Sequence, residues 1–241
     1  MTLTERQKDI LLAIIEEYMQ EPEEVGSAQI INKYGFNVSS ATVRNEMVKL
    51  MELGYLDKPH ASAGRLPTDM AFRLYINERV DKSLQDSIRM VQIRQGIFSV
   101  RFYPEKLIKT ILELLVQNSG CASFILMDDM SRHYGVSSLM NYEELKNVDF
   151  LQRILDLLED ENLLRSVFTR AGSDDVTVLI GGELGIKDLN ECAVAFTTMK
   201  FWDNRVGHMG VIGSRRMDYR NVIPMLSEVR TSVEESLKGW S

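Results

Sequence analysis

The sequence predicts an α+β protein with a small helical domain first and a larger mixed domain after it. Three short amphipathic helical segments fill roughly the first 54 residues, and a loop rich in proline, glycine and small residues follows them. Beyond residue 103, helix-like runs and strand-like runs are mixed, which favours an α+β domain with one antiparallel sheet. Helices of roughly 16, 9 and 14 residues followed by a hairpin match the layout of a winged helix-turn-helix.

The first two helices are predicted from their end signals. Thr4 and Gln7 have the spacing of a capping box, and Pro22 marks the end of the helix that this box opens. Ser27 is the predicted N-cap of a second, shorter helix, and Gly35 is its predicted C-terminal stop.

The third helix, capped by Ser39 or Ser40, has one apolar side. At about 100° per residue, the inward side comprises Val43, Met47, Leu50 and Gly54. The opposite side and its flanks carry hydroxyl, amide and cationic groups, which read base edges and hold phosphates in DNA complexes. For this helix alone, an ordinary solvated face is an equally good interpretation.

The loop from Tyr55 to Pro67 is predicted to form the hairpin. Pro59 removes a backbone donor, Gly64 permits a sharp bend, and small residues let the backbone approach a phosphate closely. His60 and Arg65 are expected at its tip, although a histidine in such a place is more often a simple turn residue. The predicted DNA contacts are Ser40, Thr42, Arg44, Asn45 and Lys49 on the helix and His60, Ser62 and Arg65 on the hairpin.

A fresh helix is predicted from Thr68. It carries an apolar stripe of about six turns, made of Phe72, Ile76, Val80, Leu84, Ile88 and Val91. The stripe either packs on the neighbouring domains or pairs with a second copy of itself, and the pattern favours neither. The predicted domains are therefore residues 1–80, a linker helix at 81–103, and a regulatory and dimerisation domain at 104–241.

The third region is predicted as helices and strands in mixed order. The predicted helices cover 104–118, 148–168 and 221–237. The predicted strands cover 121–127, 132–140, 175–180, 191–200 and 207–213.

Composition excludes several classes of protein. The net charge is −7, but residues 1–24 alone carry −5 and residues 25–80 carry +2, so an acidic chain still presents cations where contact is predicted. No segment is apolar enough for a membrane span and no signal-peptide pattern occurs, which predicts a cytoplasmic protein. Cys121 and Cys192 are predicted to be buried hydrophobes rather than a redox pair.

Catalysis is not predicted. The three histidines are scattered without metal-ligand spacing, and no P-loop, GxSxG, HExxH or GxGxxG string occurs. The sequence therefore predicts a non-enzymatic protein with no metal and no cofactor.

Several strings resemble the heat-inducible transcription repressor family HrcA. They include Val38–Met47, Leu53–Leu56 and Pro59–Thr68 in the first half, and His133–Met140 and Gly210–Tyr219 in the second. The resemblance implies a homodimer that represses chaperone genes from an inverted-repeat operator on double-stranded DNA and loses activity in heat stress. It also implies the chaperonin GroEL as a partner, and a fold with a winged helix, a GAF-like domain and an inserted dimerisation domain.

The chain is shorter than typical members of that family. The shortage falls between about Leu84 and Ser131, so the resemblance implies a compact member with a reduced GAF-like domain and without much of the inserted region. An alternative function is a metabolite-responsive regulator whose α+β domain senses a small molecule. Arg216, Asp218 and Tyr219 would line such a site, although a structural Arg–Asp pair with a packing tyrosine is the favoured interpretation.

Overall fold

A computed structural model describes residues 3–60, 63–80, 88–128, 130–170, 172, 175–202 and 205–238. The chain divides into two compact units, Met1–Val80 and Asp81–Ser241. Within the described ranges, no helix combines the length and apolar character needed to span a bilayer.

The first unit contains four helices and a short hairpin among its described residues. They are α1 (Glu5–Gln20), α2 (Ser27–Tyr34), α3 (Ser40–Glu52), β1 (Leu56–Asp57), β2 (Leu66–Pro67) and α4 (Asp69–Arg79). The strands β1 and β2 are antiparallel, and an isolated bridge joins Val25 to Arg65 beside them. The backbone before α2 is thereby fastened to the hairpin.

The capping residues of these helices are mostly those that the sequence predicts. Thr4 and Gln7 form the capping box of α1, and Gly35 ends α2 with a left-handed φ of 66°. The prediction for Ser27 is wrong, because Gly26 is the N-cap of α2. The Ser27 hydroxyl is instead hydrogen-bonded to the Ser40 hydroxyl at 2.9 Å, which joins the start of α2 to the start of α3.

The core of the first unit lies between α1, α3 and α4. Val43, Met47 and Leu50 are buried on α3, as predicted, whereas Gly54 is exposed. Gly54 lies beyond Leu53, the C-cap of α3, and its φ is +80°, so the helical period no longer sets its direction.

The second unit is built on a five-stranded sheet. Its elements are α5 (Ile88–Val100), α6 (Pro104–Ser119), β3 (Ala122–Met127), β4 (Met130–Tyr134), α7 (Val148–Glu159), α8 (Glu161–Phe168), β5 (Thr177–Ile180), β6 (Cys192–Lys200), β7 (Val206–Ser214) and α9 (Tyr219–Ser236). The strand order is β4-β3-β7-β6-β5, and every neighbouring pair is antiparallel. The predicted α+β class with an antiparallel sheet is confirmed.

Helices cover both faces of this sheet. On one face, α6 and α9 pack on the strands and α5 packs on these two helices. On the other face, α7 and α8 contribute to an apolar cluster with the sheet residues Phe124 and Phe196. In this cluster the ring of Phe168 stacks on that of His208 at 4.1 Å between centroids.

Three predicted elements are interrupted by residues that favour another backbone conformation. The helix from Thr68 ends at Arg79, because Val80 is extended, with φ −90° and ψ 108°, and a separate helix begins at Ile88. The predicted stripe is therefore not continuous. Leu84, one of its members, lies outside the described residues, as does the beginning of the predicted linker helix.

The other two interruptions are in the second unit. The predicted helix 148–168 is two helices, because Asp160 is extended and its carboxylate accepts the N–H groups of Asn162 and Leu163 as the cap of α8. The predicted strand 132–140 ends at Tyr134. Gly135 then takes a φ of 75°, and a 3-10 helix covers Val136–Asn141.

Four carboxylates are expected to make the stability of the fold sensitive to acid. Glu17, Glu46 and Glu228 are buried and Glu144 is half-buried, and burial alone would raise their pKa values. Hydrogen bonds and nearby cations outweigh burial, so each pKa lies below the ordinary 4.5. Such groups contribute stability above the unfolded pKa and lose that contribution as the pH falls through the folded pKa.

We therefore expect the free energy of unfolding to fall as the pH drops below 4.5. Urea denaturation at a series of pH values measures it. Glu228→Gln removes the carboxylate that accepts two hydrogen bonds from Arg94 and should flatten the pH profile. A wild-type stability that stays constant through the acid range would contradict the expectation.

Candidate nucleic-acid interface

The exposed side of α3 presents three of the predicted contact residues. Arg44, Asn45 and Lys49 are exposed, opposite the buried Val43 and Leu50. The helix places a guanidinium, an amide and an ammonium within about one and a half turns of one another. All three are hydrogen-bond donors, so this surface suits phosphate oxygens and the acceptor-rich edges of bases.

Two hydroxyls at the start of α3 hold the helix in place. Ser39 is the N-cap, since its Oγ accepts the Thr42 N–H at 3.2 Å and lies 3.0 Å from Thr42 Oγ1. The half-buried Ser40 hydroxyl bonds to Ser27. Both predicted contact residues, Ser40 and Thr42, therefore have hydroxyl partners within the protein.

A buried carboxylate orients the exposed side of α3. Glu46 accepts hydrogen bonds from Arg6 at 2.7 Å and from Gln7 at 3.1 Å, both on α1. The Lys49 ammonium is a longer-range partner at 3.4 Å. Burial alone would raise the pKa of Glu46, but these donors and the Lys49 charge hold it below the usual range. The ionised carboxylate ties α3 to α1 and fixes the direction in which the α3 surface faces.

The hairpin is anchored by an acidic residue that precedes α2. Glu24 Oε2 accepts the Gly64 N–H at 2.9 Å, and its Oε1 is 3.7 Å from Nε2 of the exposed His60. Gly64 is required here, because a Cβ would lie 2.8 Å from the Glu24 carbonyl carbon. Ser62, a predicted contact, lies outside the described residues.

Arg65 is not at the tip of the hairpin, where the sequence places it. Its backbone exchanges two 3.0 Å hydrogen bonds with Val25, and the residue is only 7% exposed. Nη1 donates to the carbonyl oxygens of Ala63 and Gly64, both at 3.1 Å. Because strand pairing holds residue 65 at the base of the hairpin, its guanidinium points into the unit.

A cavity of about 410 Å³ separates the hairpin from the helices. Three cations line it, namely Arg44 from α3, Lys58 from the end of β1, and Arg65. Gly26 and Ser27 at the start of α2 form another part of its wall. Burial, and secondarily the charge of Arg44, lowers the pKa of Arg65.

Of the eight predicted contacts, the cavity therefore includes Arg44 and Arg65, whereas Asn45, Lys49 and His60 do not line it. Lys58 was not among the predicted contacts. The sequence signal for Lys58 was a cationic residue directly before Pro59, within the predicted loop. Lys58 lines the same cavity as the start of α2 because the Val25–Arg65 bridge holds the hairpin there, and the sequence does not reveal this bridge.

The residues proposed for a small-molecule site in the second unit have structural contacts. Arg216 pairs with Glu144 at 2.8 Å rather than with Asp218, and its guanidinium lies 5.1 Å from the Tyr142 ring centroid. Tyr219 is fully buried, and its hydroxyl donates to the Arg215 carbonyl oxygen. The favoured Arg–Asp pair is therefore wrong in its partner.

Both cysteines are buried and free, as predicted, and burial raises the pKa of the Cys121 thiol to about 11. Among the described residues, no group of histidine, cysteine, aspartate and glutamate side chains has the arrangement of a metal site.

The matching family model and the most similar sequence relatives agree on one family. The family described as HrcA protein C terminal domain matches residues 38–223. A heat-inducible transcription repressor HrcA of Pelotomaculum thermopropionicum is 25% identical over 340 aligned positions, covering 99% of this chain and 98% of the relative. The protein of the same name from Clostridium perfringens is 26% identical over 339 positions, covering 98% and 99% respectively.

The alignment length also measures the difference in size. The 340 aligned positions exceed the 241 residues of this chain by about 100, so the relatives carry about that many residues without a counterpart here. Among solved structures, the crystal structure of a hypothetical protein at 2.2 Å resolution superposes with a TM-score of 0.81. It is 19% identical, with 100% of both chains covered, and supports the fold alone.

Proposed function

The chain belongs to the HrcA family, whose relatives are named heat-inducible transcription repressors, and on this premise we propose that it represses heat-shock chaperone genes by binding an inverted-repeat operator as a dimer. Members of the family are repressors and not enzymes, which confirms the prediction of a non-enzymatic protein.

We propose that the first unit is a winged helix-turn-helix. In this assignment α3 is the recognition helix that enters the major groove, and the β1–β2 hairpin is the wing. The observation that carries it is the α3 surface, where Arg44, Asn45 and Lys49 are exposed on a helix whose other side is buried. The ion pair of Glu46 with Arg6 holds that surface in a fixed direction, as base readout requires.

The predicted contacts take different roles in this proposal. Arg44 and Asn45 are placed to read base edges, and Lys49 to hold a phosphate. The exposed His60 on the hairpin is placed to contact the sugar-phosphate backbone. Ser40 and Thr42 act at the start of α3, where their hydroxyls bond to Ser27 and to the N-cap Ser39 and position the helix. Ser62 is kept as a proposed wing contact on the sequence pattern alone.

We propose that α5 forms the dimer interface. The inner side of α5 packs on α6 and α9 through Met90, Ile93 and Ile97. A second, outward stripe on α5 comprises Ile88, Val91, Gln95 and Phe98, and the exposed Phe102 follows in the turn beyond the helix. Ile88 is 81% exposed, Phe98 is 56% exposed and Phe102 is 52% exposed.

The spacing of this outward stripe indicates a second helix as its occupant. Its four members on α5 are separated by three, four and three residues, which is the a/d repeat of a helix that packs along another helix. A groove of about 350 Å³ lies beside Phe98 between α5 and α9 and offers room for a partner's side chain. An inverted repeat requires a two-fold dimer, so a second copy of α5 is the proposed occupant.

The proposed function predicts the effect of one substitution on the reading surface. Arg44→Ala should weaken binding to an inverted repeat from upstream of a chaperone gene by about 1–3 kcal/mol, because it removes a donor from the recognition helix without touching the core. Gel-shift titration of the full chain measures this. Arg79→Ala on α4 removes the same charge, at a residue 3.8 Å from Glu16, and should bind like wild type. Equal affinity of Arg44→Ala and wild type would reject the α3 surface as the reader.

We further propose that the chaperonin GroEL supports repressor activity and that heat stress withdraws this support. The family relationship motivates this step. The same gel shift, repeated at rising temperature with and without purified chaperonin, tests it. Chaperonin should preserve operator binding at temperatures where the protein alone loses it. An identical loss in both series would contradict a role for the chaperonin.

A further inference from the structure

We propose that the cavity between the hairpin, α2 and α3 is a binding site for a phosphate group. The cavity is lined by Arg44, Lys58 and Arg65 together with Gly26 and Ser27. Its volume of about 410 Å³ falls in the range of small-ligand sites, and it admits a phosphate group with its hydrating water. The shared chemistry of any occupant is an oxyanion with several acceptor atoms.

The first argument is the missing counter-charge. Within the part of the chain that the structure describes, none of Arg44, Lys58 and Arg65 forms an ion pair. Two acidic residues lie near the hairpin, but the oxygens of Glu24 face the Gly64 N–H and His60, and the exposed Asp57 of β1 is not part of the cavity lining. Three cations thus surround one cavity without a carboxylate between them, and an anion in the cavity would neutralise them.

The second argument is the state of Arg65. The residue is only 7% exposed, yet its Nε has no hydrogen-bond partner among the described residues. A buried guanidinium without a counter-ion is costly, and an unsatisfied buried donor adds to this cost. Burial, and secondarily the nearby charge of Arg44, lowers the pKa of Arg65, so both disfavour an uncompensated positive charge there. A phosphate oxygen would accept from Nε and supply the missing negative charge.

The third argument is the start of α2. Gly26, the N-cap, has no side-chain oxygen for the free N–H groups of the first turn, and the Ser27 hydroxyl is engaged with Ser40. Free N–H groups at a helix N-terminus and the helix dipole favour an anion there. The helix start and the guanidinium of Arg65 belong to the same cavity wall, so their effects on an anion add.

The phosphate group could come from two sources. One is the backbone of bound DNA, and this form of the proposal rests on the proposed function. The other is free phosphate, which would occupy the cavity whether or not the protein binds DNA. Two measurements on the full chain separate these sources, with Lys58→Gln as the test variant. Lys58 is exposed, so its replacement should not disturb folding.

The first measurement is the thermal unfolding temperature with inorganic phosphate or with chloride at equal ionic strength. If free phosphate binds, it raises this temperature in wild type through preferential binding to the folded state. The increase should be lost in Lys58→Gln and kept in Lys8→Gln, the matched control. Lys8 lies on α1 and pairs with Glu78 at 2.8 Å, away from the cavity lining.

The second measurement is the salt dependence of binding to duplex DNA. If the cavity holds a backbone phosphate, Lys58→Gln should weaken binding and reduce the slope of log K against log salt by about 0.9, the value for one lost phosphate contact. Lys8→Gln should keep the wild-type slope. Arg65→Lys, which retains the charge but removes Nε, should weaken the same binding while circular dichroism verifies its fold.

Each combination of results decides the proposal. A Lys58-dependent effect of inorganic phosphate establishes the free anion as an occupant, and an effect confined to DNA establishes the backbone phosphate. If neither measurement responds to Lys58→Gln, the phosphate site is refuted. If wild type does not bind DNA at all, the proposed function fails by itself, and the inorganic phosphate measurement alone then decides whether the cavity is a phosphate site.

Discussion

Replacing Phe98 with glutamate is expected to convert the proposed dimer into a monomer and to weaken binding of the inverted repeat by about 100-fold or more. Phe98 is the aromatic residue of the outward α5 stripe, and the Arg101 guanidinium lies 3.6 Å from its ring centroid. In the proposed dimer, glutamate would bury a carboxylate among apolar side chains at the two-fold interface. Two separate monomers would then each hold only one half-site.

Sedimentation equilibrium of the full chain measures the association, and gel shift measures the operator affinity. Gln117→Glu on α6 is the matched control, since it adds the same charge at an exposed position outside the stripe and should leave the dimer intact. A dimeric Phe98→Glu protein would place the interface elsewhere. A monomeric wild-type protein that still bound the inverted repeat tightly would reject the dimer altogether.

Local signals predicted the first unit well. The Thr4 capping box, the stop at Gly35 and the buried Val43 and Leu50 all depend on residues within one helical turn or one face. Turn geometry and periodicity are properties of short windows, so a single sequence contains them. The antiparallel sheet was also predictable, because its strands have enough β-branched and apolar residues to stand out from the helices.

The errors arose where a local preference competed with a longer pattern. Apolar spacing continued through Val80 and across Asp160, but the extended backbone at both residues ends the preceding helix. The direction of Arg65 depended on a bridge to Val25, 40 residues earlier in the chain. No local signal reports such a pairing, so the cavity and the role of Lys58 could not be predicted from the sequence.

The late family string Gly210–Tyr219 has a physical explanation in the fold. Gly210 lies in β7, at the centre of the sheet, where it pairs with Phe196 on one side and with Phe124 on the other. A Cβ at this position would lie 2.4 Å from the Ala195 carbonyl oxygen and 2.6 Å from Phe124 Cζ. The aromatic cluster on this face therefore occupies the space that any side chain at position 210 would need.

Gly210→Ala is accordingly expected to destabilise the second unit by about 3 kcal/mol or more, at the upper end of the cost of overpacking. The contacts cannot relax by a simple rotamer change, since one of them is a backbone oxygen of the paired strand.

Gly96→Ala is the matched control on α5. Its Cβ would meet Leu114 at an ordinary 3.5 Å, and alanine has the higher helix propensity, so a gain of about 0.5–1 kcal/mol is expected. Urea denaturation followed by circular dichroism compares the two. If the two substitutions change the free energy of unfolding in opposite directions, close packing rather than glycine flexibility explains position 210. If Gly210→Ala leaves the free energy of unfolding unchanged, the sheet and its aromatic cluster yield more easily than these distances indicate.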